Sequence, residues 1–568
     1  NVYINVINIF IYASFLYAFH RSNNTNQLSQ HFIYKEISFD NKMESITNII
    51  AFMFINICTE LSYIIFKRYL MKNWVRFHDG GEEIIYNKIK KYPSSPLGLP
   101  LFGNILSLLN QSKLQTTIAP SYGKIALFNV VGIPIIFLNN VESIKKVLIK
   151  KHMINRPNMG GRNESLVFLN GKKWIERRKF IHDSLFSLTN AGYIDNLFDK
   201  MLNDAIIPTL DDCSHNNVMW YPRKLLFHLS FNVIYTAMFG KPISFIDPLF
   251  NEYCDLTDKL VSNSPVTLPA GVVPLLKYIP YVKRILDEVA IAKDRIDCIT
   301  KEWMNKLLGY DDRVWNKDIN NNPHYLKINH KETQQINQFY IDKILYGYLT
   351  TEHMTQKHIM DELILLFAAG ADTTSNTTEY GFTYLAKYPP LQELLYNELR
   401  TVFKDEANIT LKNHINKLPL LRAFVREVIR LSSVASIAFP RYINHDLTVH
   451  LKDQTYVLPK KSIIIANLFY ANKYDPCWTK CQDSNIVNNP NFGEINLDAW
   501  LSKDKNGNIS FKHNPNFVAL SYGKRNCVGY GLALRELQCL FAHLILKYQF
   551  KLKNNVEIKQ KWTTVLRI

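Results

Sequence analysis

The residues best suited to chemistry lie between Leu520 and Glu536, in the run LSYGKRNCVGYGLALRE. One cysteine, Cys527, stands there with Gly523 and Arg525 before it and Gly529 after it. Glycines let a backbone turn sharply and approach a flat ligand closely. A helix-periodic run follows, with Ala533, Leu537, Phe541, Leu544 and Tyr548 on one face. The spacing therefore places Cys527 at the start of a helix, where free amide groups and the dipole favour thiolate over thiol. A thiolate in a glycine-lined loop suits the axial position on haem iron. Taken alone, a single cysteine is more often a small buried apolar residue.

A second chemical pair lies upstream. Thr355 to Lys387 reads as one long helix that stops before Pro389 and Pro390. Its centre, Leu363 to Ala371, is apolar on all sides, the mark of burial through a core. Asp361 and Asp372 flank that centre too closely for a membrane span. Inside it lies AAGADTT. Gly370 weakens the helix and the Thr373 hydroxyl can bond back to the Ala369 carbonyl, which predicts a local distortion. Asp372 then sets an acid beside an alcohol, a pair able to pass protons. A solvent-facing aspartate is the plainer reading, but it fits an apolar run poorly.

Several elements must position these groups. Gly171 to Phe180 carries Trp174 and Arg178 four apart, hence on one helix face. Leu418 to Ser432 carries Glu427 and Arg430 three apart among Leu420, Leu421, Phe424, Val425 and Leu431. Arg441 follows in Phe439-Pro440-Arg441.

These motifs resemble those of the cytochrome P450 family. The pattern F-x-x-G-x-R-x-C-x-G is met at Gly523, Arg525, Cys527 and Gly529, with Leu520 in place of the opening aromatic. The resemblance runs from the Pro93 region to the C-terminus. It implies a mainly α fold with a small β region, in which haem b lies between the long central helix and the cysteine-loop helix. It implies Cys527 as the iron ligand, and Trp174, Arg178, Arg441, Arg525 and Gly529 as further haem-binding residues. Asp372 and Thr373 match the family's oxygen-activating motif, and Glu427 with Arg430 its structural E-x-x-R pair. In many relatives a second arginine completes a triad with that pair. Ala499 stands at its place in INLDAW, an expectation that leaves Glu427 short of a partner. Residues Val434 to Ala438 and Trp562 to Thr564 would line the substrate pocket.

The 568 residues carry a net charge of +18, with 20% charged and 47% apolar residues, a globular balance. Such basicity suits nucleic acid, an anionic membrane or an acidic partner. Zinc-finger spacing, an aromatic RNA-binding signature and basic repeats are all missing, so nucleic acid is not expected. The eight cysteines are scattered, and the C-x-x-x-C pair Cys477 and Cys481 reads as free thiols in a reducing compartment. Residues 1–45 read as an N-terminal extension containing one apolar segment, Val2 to Phe19, with Met43 as an alternative start. Residues 46–66 read as a transmembrane anchor. Lys67, Arg68, Lys72 and Arg76 after it predict a cytoplasmic flank. A linker over 67–91 and a catalytic domain over 92–568 complete the expected organisation, with a stiff hinge at Tyr92 to Asn104. Within the domain, Lys124 to Leu138 reads as a hairpin. The middle reads as helical, with loops at Ser264–Pro280 and Asp311–His330. Leu447 to Val457 and Ser462 to Ala466 read as strands of one small sheet.

The resemblance implies an endoplasmic reticulum enzyme with its catalytic domain facing the cytoplasm. It would insert one atom of O2 into a hydrophobic organic substrate. Electrons would come from NADPH through NADPH–cytochrome P450 reductase, with cytochrome b5 as a further partner and Lys524 on the docking surface. One rival keeps the fold but isomerises or dehydrates a peroxide without a reductase. Another is a degenerate, non-catalytic haem-binding protein, for which Leu520 and Ala499 are the support.

Overall fold

Val131 and Gly132 both adopt positive φ, 52° and 80°, and close the expected hairpin between β3 (Ile125–Val130) and β4 (Ile133–Leu138). A two-residue turn of that kind matches the twist of the strands it joins. This hairpin belongs to a sheet ordered β3-β4-β8-β5, where β5 is Arg441–Tyr442 and β8 is Ile463–Ala466. A second sheet, ordered β1-β2-β7-β6, joins β1 (Glu82–Ile85) and β2 (Lys88–Lys91) to β6 (Leu447–His450) and β7 (Thr455–Leu458). The strands after Arg441 thus divide between two sheets instead of forming one. The end of the span expected as linker pairs into the fold, through Lys91 beside Tyr456.

The computed structural model describes residues 82–157, 165–308, 356–404, 411–478 and 492–553, less a few positions in the first two ranges, with Ile486, Val487, Gln560, Trp562 and Leu566. All of them belong to one unit, Phe77–Ile568. The expected extension, the anchor at 46–66, the loop at Asp311–His330 and Cys481 lie outside the described residues. No described helix is long and apolar enough to cross a membrane.

The principal helices before the centre are α1 (Val141–Leu148), α2 (Gly171–Asn190), α3 (Tyr193–Met201), α4 (Ile207–His215), α5 (Arg223–Phe239), α6 (Pro248–Ser262) and α7 (Pro280–Leu308). Those after it are α8 (Gln356–Lys387), α9 (Pro389–Val402), α10 (Pro419–Ser432), α11 (Leu468–Tyr474) and α12 (Tyr530–Lys547). Start signals are local: Asn140 caps α1 by accepting from the Ser143 N–H at 3.0 Å, and Asp247 caps α6 from the Phe250 N–H at 3.0 Å. Ser264–Val272, expected as loop, is helical. Its two prolines do not prevent this, because tertiary packing overrides a weak local preference.

Helix α8 is the central element, buried for most of its length against α5, α10 and α12. Two glycines allow the approach. A Cβ at Gly370 would lie 2.6 Å from Ile234 of α5, and one at Gly381 would lie 2.2 Å from the Phe541 ring of α12. The distortion expected at Gly370 is not seen: α8 runs as unbroken α-helix from Gln356 to Lys387. Gly370 serves close packing with α5. Helix α12 differs from its expected amphipathic form, since Leu532, Leu534, Leu537, Leu540, Phe541 and Leu544 are all buried around it.

Candidate active site

The cysteine loop is built by a reverse turn and a short helical turn. The Cys527 N–H donates to the Leu520 carbonyl at 2.9 Å, so position 520 contributes its backbone where an aromatic side chain was expected. Gly523 has φ 76°, and a Cβ there would lie 2.2 Å from the Leu148 carbonyl oxygen. Only glycine fits that position. Gly529 differs: it caps α12 with an ordinary φ of −83°, and a Cβ there would meet nothing within 4 Å. It borders open space on the cysteine side of the helix.

Cys527 is accessible to solvent, although protein atoms lie close around it. Burial pushes its thiol up, against weaker opposing effects from the Gly529 N–H and the Arg178 charge. Binding a cation to the sulfur would displace the proton.

Around this loop three arginines gather. Arg525 is buried, and its guanidinium lies 4.0 Å from the centre of the buried Trp174 ring. Arg178, one turn further along α2, lies 5.9 Å from the same ring. Arg178 also donates to the Asn526 carbonyl at 2.9 Å and to Asn526 Oδ1 at 2.6 Å. Arg441, buried at the start of β5, donates to the Phe439 carbonyl at 2.7 Å and the Arg525 carbonyl at 3.4 Å. Among the described residues no carboxylate pairs with any of the three, and Arg441 Nε has no partner. Burial, followed by repulsion from Arg441 and Arg178, lowers Arg525 to about 9. Burial lowers Arg441 to about 10. Uncompensated buried cations are costly, so this cluster is shaped for an anion. The two propionates of haem beside an accessible thiol meet both demands.

The seat of Arg525 was not visible beforehand. Its guanidinium donates to the carbonyls of Ile154 at 2.9 Å, Leu166 at 3.1 Å and Leu169. Arg156, also missed, is buried beside it and donates to the carbonyls of Val167 at 3.0 Å and Pro440 at 2.8 Å. Backbone acceptors have no sequence signature, and Arg156 stands in no motif that marks it.

Glu427 and Arg430 are brought together in a bidentate pair, at 2.6 and 2.8 Å, both buried. Glu427 is not short of partners. The Asn496 N–H donates to one oxygen at 2.8 Å and the Trp500 Nε1–H to the other at 2.9 Å. Trp500 is buried and lies 5.9 Å from Trp478. Trp478 in turn lies 4.6 Å from the Arg430 guanidinium. An indole and a backbone amide thus do what a third charge does elsewhere.

On α8, the Thr373 hydroxyl donates to the Ala369 carbonyl at 2.6 Å, as its spacing implied. Asp372 is buried and accepts from Arg223 Nη2 at 3.1 Å and Asn376 Nδ2 at 3.1 Å. Arg223 begins α5 and is partly exposed, so it links the buried acid to the surface. Asn376, one turn after Asp372, could have been found from spacing; Arg223 could not. At the far end of the chain the Leu566 N–H donates to the Val434 carbonyl at 2.7 Å, returning the C-terminus beside residues 434–438. Thr564 lies outside the described residues. Also among the described residues, no group of three or more His, Cys, Asp or Glu could hold a metal ion.

A helical domain that presents one accessible thiol beside buried, unpaired guanidinium groups has the donor set of a haem-thiolate protein. The cytochrome P450 family model matches residues 93–568, and the chain belongs to that family. It is similar to cytochrome P450 2J1 of Oryctolagus cuniculus, 24% identical over 473 residues covering 81% of this chain and 86% of the relative. Cytochrome P450 2C70 of Rattus norvegicus is 26% identical over 487 residues, covering 81% and 88%. Farnesoate epoxidase of Bombyx mori is 24% identical over 497 residues, covering 82% and 89%. The chain is accordingly an oxidoreductase of the monooxygenase type.

Proposed function

We propose that this chain inserts one atom of O2 into a hydrophobic organic substrate, with Cys527 as the residue that would hold the iron of haem b. The observation that carries the reading is the accessible Cys527 thiol beside the buried Arg441 and Arg525 and the half-buried Arg178, none with an acidic partner among the described residues. When bound, the haem supplies oxygen binding and the redox chemistry of the insertion.

The protein's part is to hold, orient and deliver protons. Arg178, Arg441 and Arg525 bind the propionates, where a guanidinium fork matches a carboxylate. Trp174 keeps Arg525 and Arg178 facing that edge. Gly529 leaves the space beside Cys527 open. Thr373 and Asp372 would hold and relay protons, and the partly exposed Arg223 connects Asp372 to the surface. Glu427 and Arg430 hold the core on the cysteine side. Electrons come from NADPH through cytochrome P450 reductase, an acidic partner docking on basic residues that include the exposed Lys524. Cytochrome b5 is a second donor of the same charge type. Residues 46–66 anchor the enzyme in the endoplasmic reticulum membrane, with the catalytic unit in the cytoplasm. Farnesoate appears in one relative's name; for this chain we take only the class, an apolar organic molecule.

The test is the spectrum of the reduced carbon-monoxide complex of the purified chain. A thiolate-type band that disappears in Cys527→Ala, with turnover that needs NADPH and reductase, is the expected result. A histidine-type band, or no haem at all, defeats the reading. Turnover of a peroxide without reductase would favour the isomerase alternative.

A further inference from the structure

Residues Ser165 to Asn170 form a single turn, closed by the Phe168 and Leu169 N–H groups on the Ser165 carbonyl at 3.0 Å each. Four of its acceptors face guanidinium groups. Arg525 takes the carbonyls of Leu166, Val167 and Leu169, and Arg156 takes that of Val167. Asn170 Oδ1 accepts from Arg525 Nη2 at 3.3 Å and from the Arg156 N–H at 2.8 Å. The direction in which Arg525 points therefore depends on where this turn sits.

One side chain ties the turn to the centre of the fold. Glu362, on α8 and with no exposed surface, accepts from the Leu166 N–H at 2.9 Å through Oε2. The same oxygen accepts from Arg177 Nη1 of α2 at 3.1 Å. Burial pushes the Glu362 carboxyl up to about 7, even with Arg177 opposing. A carboxyl kept at such a cost needs a purpose. Glu362 lies three helical turns before Thr373 on the same helix. One residue thus joins two parts of the site: the Leu166 N–H meets α8, and the Leu166 carbonyl meets Arg525.

We infer that Glu362 is a positioning residue for the haem edge, holding the 165–170 turn so that Arg525 faces a propionate. This rests on the haem-thiolate reading above. The role needs an acceptor oxygen that reaches Leu166, and does not need negative charge. Two variants separate these properties in the holoenzyme. Glu362→Gln keeps the reach and loses the charge; Glu362→Asp keeps the charge and draws the oxygen back by one methylene.

The readout is the rate of haem loss to excess apomyoglobin, with the Soret circular dichroism of the bound form. Glu362→Asp should lose haem roughly tenfold faster than wild type, the usual cost of disturbing a residue behind a ligand. Glu362→Gln should stay close to wild type. Equal rates in the two variants, or faster loss from Glu362→Gln, would overturn the assignment. So would a Glu362→Asp protein that keeps its haem as the wild type does. If wild type itself lacks the thiolate-type carbon-monoxide band, the haem-thiolate reading has failed instead, which keeps the two failures apart.

Discussion

The surroundings of Glu427 and of Arg525 solve the same problem in opposite ways. Both groups are charged and buried. Glu427 is closed: Arg430, the Asn496 amide and the Trp500 indole satisfy both oxygens. Arg525 is open: it meets only neutral groups, carbonyl oxygens and the Trp174 ring, with two further cations nearby. A closed network is complete without a ligand and holds the fold. An open one remains electrostatically incomplete until an anion arrives.

That contrast can be broken most severely at Glu427. Glu427→Ala leaves Arg430 buried without its acid, and should destabilise the domain by about 3–5 kcal/mol. Urea unfolding of the purified domain measures it; a loss too small to detect would mean the closed network is not structural.

Glu536 offers a third way to bury an ionisable group, which is to remain protonated. Burial, opposed by a hydrogen bond from Ser230, moves its carboxyl from 4.5 up to about 8. Below 4.5 both folded and unfolded chains hold the proton, and the contribution to stability is fully present. Between 4.5 and about 8 only the unfolded chain releases it, so stability falls as pH rises, by up to about 1.4 kcal/mol per pH unit. Glu536→Gln cannot ionise and should gain on wild type as pH is raised from 5 to 9. Parallel unfolding midpoints for the two proteins across that range would contradict this.

The smallest effect on folding is expected in the open cluster. Arg441→Leu removes a buried cation that has no acidic partner. Unfolding of the cofactor-free chain should change by less than about 1 kcal/mol, or shift toward greater stability. Haem loss from the same variant should accelerate. A large loss of cofactor-free stability would place Arg441 with Glu427, among groups that hold the fold.

The sequence made legible whatever depends on side chains at short spacing. Cys527 with its flanking residues, the Glu427–Arg430 pair, the Thr373 back-bond and the bounds of α8 all follow from patterns within a few turns of chain. What it concealed depends on backbone atoms or distant partners. The carbonyls under Arg525, the amide and indole that complete Glu427, and Arg223 beneath Asp372 carry no local signature. The same holds for the strands: β8 pairs with β4 across more than 300 positions, as Ile135 beside Ile463. The apolar alternation that marks a strand does not say which sheet it joins.

One hydrogen bond has a consequence for biosynthesis. Arg525 reaches the Ile154 carbonyl across 371 positions of sequence. Translation delivers the acceptor 371 residues before the donor, so the clasp closes only after that whole span has been made. Such distant closures are slow. Until then the nascent domain shows apolar surface that the mature form hides, the stage at which chaperones are engaged. The seat of Arg525 is thereby completed only after both ends of that span exist.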